Sequence, residues 1–143
     1  MLGRLDHVGY LTADLETSVA SFQERLGLPL ARRIDRPQFA LLGAYLGDGL
    51  GNVELFTFTE PELLARRLGG AAIVLDHVAY EVPDIEASAL ALRHQGVRFA
   101  GPDLRSELHE PVDLGGVLHL WTMPETTFGQ TIQLLQPIAS AQR

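Results

Sequence analysis

Two stretches of the chain, LDHVGYLT at residues 5–12 and LDHVAYEV at 75–82, are rich in apolar and β-favouring residues and predict strands. Each runs into Asp-Leu-Glu or Asp-Ile-Glu, where Asp14 and Asp84 stand at helix starts as N-cap residues. Beyond the first cap, Leu15, Val19, Phe22 and Leu26 recur at spacings of four, three and four, which puts them on one stripe of a helix and predicts that the stripe is buried. Gly27 and Gly96 close the two helical stretches where a left-handed residue is needed. Downstream, FALLGAYLG, VELFTF, VLHLWTM and TIQLLQ predict further strands.

These elements repeat. Residues 5–18 and 75–88 share Leu, Asp, His, Val, Tyr, Asp, Glu and Ser at a shift of 70, and NVELFTF and TIQLLQP share an apolar, polar, apolar pattern at a shift of 79. The order β-α-β-β-β taken twice predicts an α+β fold of two tandem βαβββ modules that pair their sheets into a curved trough or partial barrel. The expected organisation is one domain over 1–143, with module one at about 1–60, a linker at about 61–72 (EPELLARRLGGAA) and module two at about 73–138. The extra spacing in the second module falls in a loop, GPDLRSELHEPVDLGG, rich in turn formers and charge.

Composition narrows the chemistry. The chain has 143 residues, 46% of them hydrophobic, enough to bury a core without staples. It has no cysteine, which removes disulfides, thiolate ligands and a thiol nucleophile, and leans toward a reducing cytoplasm. Any metal must use nitrogen and oxygen donors. The net charge of −7 opposes a phosphate backbone, so nucleic acid is not expected as a partner. The start MLGRLDHVGYL has no apolar run of signal type and no stretch approaches a membrane span, which predicts a cytoplasmic protein with no membrane association.

A strand sends alternate side chains to opposite faces, so His7 and His77 point away from Val8, Tyr10, Val78 and Tyr80, and Glu54 away from Val53 and Leu55. Each module then carries one coordinating side chain on its first strand and one on its last: His7 with Glu54, His77 with Gln133. Burying a carboxylate alone in an apolar cleft costs several kcal/mol, and a cation removes that cost. Two imidazoles, a carboxylate and an amide oxygen suit Fe(II), Mn, Co, Ni or Zn and leave positions for water or substrate. A single strand histidine is more often a satisfied core residue; two at equivalent positions, each matched to a polar group on the last strand, point to ligation. His94 is expected on a solvated helix face and His109 in an exposed loop. His119 is left open between the trough and the packed side.

The residues LDHVGYLTADLETSVASFQERLGL, LDHVAYEVPDIEASALALRHQGVRF and the tail MPETTFGQTIQLLQP resemble the vicinal oxygen chelate superfamily, which includes glyoxalase, methylmalonyl-CoA epimerase, extradiol dioxygenases and bleomycin-binding proteins. The resemblance implies a divalent-metal site at His7, Glu54, His77 and Gln133, a small-molecule substrate, and a homodimer. In the epimerases and glyoxalases the last ligand is normally a glutamate, and the epimerases have glutamine at the second, so this chain has acid and amide exchanged relative to the epimerases. The resemblance further implies a lyase or isomerase that stabilises an enolate of a carbonyl or thioester. Glu54 is then the proton shuttle, since no second glutamate matches the other base of the epimerases and Asp35 fits that place poorly. The alternatives are an Fe(II) extradiol-type ring-cleaving dioxygenase, and an antibiotic-binding protein whose trough Trp121, Phe128, Phe39 and Tyr45 would line.

Overall fold

The computed structural model describes residues 2–138; Met1 and 139–143, which fall within the expected domain, lie outside the described residues. The chain divides into two compact units, one of residues 7–76 and one of residues 77–138 together with 2–6.

In the unit of residues 7–76, β1 (Arg4–Thr12) leads into α1 (Leu15–Leu26), then β2 (Leu30–Arg36), β3 (Leu41–Leu46), β4 (Val53–Phe58) and α2 (Pro61–Leu68). The strands run in the order β2-β3-β4-β1. β2 and β4 flank β3 antiparallel, and β1 joins β4 in parallel. First and last strand of the repeat are therefore neighbours. The α1 start is fixed by Asp14, whose carboxylate accepts from the Thr17 backbone N–H at 3.1 Å, and its end by Gly27 in the left-handed conformation, φ 68°. Leu15 and Val19 pack on Ala44, Leu46 and Leu55, with Tyr10 and Phe22 at the margin. Leu26 departs from the expected stripe: it is 62% exposed. As the last helical residue it stands one position before the left-handed turn, past the apolar residues of the sheet that receive the earlier turns.

The opposite face of this sheet is covered by a helix that lies within the expected linker. Residues 61–72 contain α2, started by Pro61 in its first turn and closed by Gly69 at φ 59°. Leu63 and Leu68 bury against Leu11, Leu41, Phe56 and Phe58. The paired glycines follow the end of that helix. Burial of Leu63 alone contributes about 1.5–3 kcal/mol.

The second unit comprises the later part of β5 (Ile73–Glu81), then α3 (Ile85–His94), β6 (Phe99–Ala100), β7 (Val112–Asp113), β8 (Val117–Thr122) and β9 (Thr131–Pro137). Its order is β5-β9-β8-β6, with β7 on β8. β9 joins β5 in parallel and β8 antiparallel, repeating the first unit. Asp84 caps α3 by accepting from Ala87 N–H at 3.0 Å, and Gly96 at φ 88° turns the chain so that Val97 N–H reaches Leu92 O. The core gathers Val82, Ile85, Ala89, Val97, Phe99, Leu120 and Leu134. The long loop is held: Arg93 donates to the carbonyls of Leu108 and His109, and β7 pairs with Leu118 and His119. Among the described residues, three helices and strands in both parallel and antiparallel pairs place the chain in the α+β class.

Candidate functional site

In the first unit, the face of β1, β3 and β4 away from α1 carries the expected residues. Gly9 lies opposite Glu54 across the parallel β1–β4 pair, and Tyr45 opposite Glu54 across β3–β4. His7 and Glu54 are buried, and His7 Nε2 stands 3.5 Å from Glu54 Oε1. That distance exceeds the roughly 2.7–2.9 Å of a tight charged hydrogen bond. It lies just above the roughly 3.0–3.4 Å that separates two donors bound at about 2.1 Å to one ion. Tyr45 meets the His7 ring edge-on, centroids 5.2 Å apart, and Arg32 of β2 lies over the Tyr45 ring at 4.0 Å. These contacts fix the imidazole plane.

Only one carboxylate belongs to that face. The alternation that sends Glu54, Phe56 and Phe58 to one side sends Leu55 to the α1 side. Asp35 pairs with Leu42 in β2–β3 and lines an open cleft with Leu15, Glu16 and Arg33, so it lies on the α1 side. Among the described residues of β1 to β4, Glu54 is the carboxylate on the His7 face.

The second unit repeats the arrangement. Ala79, two residues after His77, lies opposite Gln133 across β5–β9, and Trp121 opposite Gln133 across β8–β9. His7, Gly9, Glu54 and Tyr45 thus correspond to His77, Ala79, Gln133 and Trp121. His77 and Gln133 are buried. His119, left open by the sequence, shares the face of Trp121 and Gln133: its Nδ1 is 2.8 Å from Gln133 Nε2, and its ring stacks on Trp121 at 5.4 Å and 11°. Gln133 Oε1 is buried without a hydrogen-bond partner. A buried amide oxygen in that state carries an unmet cost of about 1–3 kcal/mol. It is also the donor type a hard or borderline cation accepts.

The remaining candidates lie elsewhere. His94 and His109 are exposed, as expected. Phe128 is fully exposed in the turn between β8 and β9, and Phe39 packs at the margin of the α2 core. Sequence reasoning did not find Arg32 or the contact of Tyr45 with His7. The available signal was the hairpin register that sets Tyr45 beside Glu54.

The fold and these donors define a class before they define a family: a duplicated βαβββ protein with imidazole, carboxylate and amide groups on equivalent strands. The family model of the glyoxalase/bleomycin resistance protein/dioxygenase superfamily matches residues 6–110, and the chain belongs to that superfamily, a member of the vicinal oxygen chelate group. Among curated proteins it is similar to the ethylmalonyl-CoA/methylmalonyl-CoA epimerase of Cereibacter sphaeroides, 30% identical over 103 residues, covering 71% of this chain and 77% of that one. It is also similar to the human mitochondrial methylmalonyl-CoA epimerase, 25% identical over 130 residues, covering 82% and 72%. Among solved structures, methylmalonyl-CoA epimerase from Mycobacterium tuberculosis superposes with a TM-score of 0.80 at 22% identity, covering 95% of this chain and 89% of that one. No helix among the described residues is long and apolar enough to cross a membrane.

Proposed function

We propose that the chain is a divalent-metal-dependent isomerase of epimerase type, in which His7, Glu54, His77 and Gln133 hold the ion and Glu54 moves the proton. The observation that carries the reading is the buried, unpartnered Oε1 of Gln133, at the strand position equivalent to that of Glu54. His7, Glu54 and His77 are buried imidazole and carboxylate donors of the kind a divalent ion takes. The metal, when bound, supplies Lewis acidity that polarises a substrate carbonyl.

The chain's own residues account for the rest. Glu54 accepts the proton from the carbon beside that carbonyl on a carboxylate oxygen; the planar enolate must then turn its other face to Glu54 before the same carboxyl returns the proton and completes an epimerisation. With Glu54 the carboxylate on that face among the described residues of β1 to β4, a single base serves both directions. Tyr45 holds the His7 ring, and the apolar wall of Leu11, Phe56 and Phe58 excludes water from that end. A carboxyacyl thioester of coenzyme A is the substrate class we favour. The curated relatives are named for methylmalonyl-CoA, and a structure of the same fold is a complex of methylmalonyl-CoA epimerase with methylmalonyl-CoA.

The test is loss of the α-proton of methylmalonyl-CoA into deuterated water, followed by proton NMR with protein loaded with Mn(II) or Co(II). Exchange is expected, and Glu54→Gln should slow it about 10²–10⁴-fold. No exchange by the loaded wild type rejects the epimerase reading. Undiminished exchange in Glu54→Gln rejects Glu54 as the base.

A further inference from the structure

A carboxylate and an amide differ as ligands in one respect that this chain makes concrete. The two oxygens of Glu54 are equivalent, so the side chain presents an oxygen whichever way it turns. Gln133 has one end that donates to a cation and one that repels it, and a half-turn about its last torsion exchanges them. At a ligand position an amide therefore needs something that selects its orientation.

The second unit contains such a device and the first does not. On the strand neighbouring Gln133, His119 places Nδ1 2.8 Å from the amide nitrogen. The amide NH₂ donates and Nδ1 accepts, which puts the ring proton of neutral His119 on Nε2. The near-parallel stack on Trp121, 11° between planes, holds the ring so that this lone pair stays directed at the amide. Val112 of β7 pairs with His119 on the other side of β8 and fixes its backbone. With Nε2 engaged, Oε1 is left buried and unpartnered. In the first unit the strand position two residues before Tyr45, equivalent to His119 before Trp121, is Gly43, and its last-strand ligand is the glutamate that requires no selection.

We infer that His119 is a positioning residue: by accepting from Gln133 Nε2 it orients the amide with its oxygen available to the cation. This rests on the reading of Gln133 as a ligand, and the measurements are chosen so that the two can fail separately.

Mn(II) affinity is read by the electron paramagnetic resonance signal of the free ion, in the wild type, His119→Phe, Gln133→Glu and the double variant. Phenylalanine keeps a ring against Trp121 and removes the acceptor. With Gln133 present, His119→Phe should weaken Mn(II) about 10–100-fold. In the Gln133→Glu background the same change should cost less than about threefold, because a carboxylate has no wrong end. Equal losses in the two backgrounds would mean that His119 only packs, and no loss in either would remove any role; both overturn the inference. Should His119→Phe fail to give a cooperative melt, His119→Leu takes its place in both backgrounds. The second measurement needs no metal: NMR of the ¹⁵N-labelled apoprotein should show scalar coupling across the hydrogen bond between Gln133 Nε2 and His119 Nδ1. Absence of that coupling overturns the orientation mechanism even if Mn(II) binds. Coupling with no Mn(II) bound by the wild type overturns Gln133 as a ligand, and the positioning role with it.

Discussion

Replacing Gln133 by methionine separates what that side chain costs the fold from what it offers a ligand. The amide nitrogen is bonded to His119, and the oxygen is buried with no partner. The orphaned acceptor costs about 1–3 kcal/mol, and the bond to His119 returns about 1 kcal/mol. Methionine is unbranched, of similar length and without a strong polar atom, so it fills the space without the orphan. His119 is only partly buried, which limits the cost of removing its amide partner. The metal-free variant should therefore be more stable than the wild type by up to about 2 kcal/mol, a melting temperature higher by up to about 6 °C for a chain of this size. A divalent ion at about a hundredfold excess over its Kd should raise the wild type by about 2.7 kcal/mol, roughly 8 °C. The variant, short of one donor, should gain far less. The order of stability thus inverts with metal, and calorimetry in EDTA and then in Mn(II) reads it directly. A variant that melts well below the wild type in EDTA, or that keeps the full metal-induced rise, refutes the account of Gln133.

Leu63→Ala should cost about 3 kcal/mol and lower the melting temperature by about 9 °C, because it opens a cavity between α2 and the sheet, whereas Leu26→Ala at the exposed helix end should stay within about 0.5 kcal/mol. Equal effects in thermal melts would contradict the packing of α2. Asp14 is held below its ordinary pKa of 3.8 chiefly by the backbone hydrogen bond from Thr17. A lowered folded-state value gives stability that is present above the unfolded pKa and lost as pH falls through the folded one, so the penalty of Asp14→Ala should shrink from about pH 7 to about pH 3. Urea unfolding of both proteins across that range would expose a penalty that stays constant, the outcome that contradicts the cap.

Much of this architecture can be read from the chain because its signals are local. An aspartate before a helix and a glycine after it act within a few residues, and both caps of α1 and the N-cap of α3 stand where they are expected. The residues His7, Glu54, His77 and Gln133 are legible for a different reason: duplication offers two copies of one pattern, and agreement between them stands in for three-dimensional information. α2 is illegible because eight residues give barely two turns, and Leu63 and Leu68 acquire meaning only from the aromatics of β4. The role proposed for His119 depends on the register of β8 against β9. Sliding that pairing by one residue would send the imidazole to the α3 side, and nothing within VLHLWTM decides between the two.

The matching hydrogen-bond ladders of the two halves give acid and amide equivalent places on one backbone plan. A double exchange, Glu54→Gln with Gln133→Glu, would alter neither the formal charge nor any strand pairing. On the proposed function it would transfer the proton acceptor from one half of the chain to the other. If that reading holds, the duplicated motif offers two backbone positions for the base, and moving it between repeats changes the side from which the proton is taken while the scaffold stays still.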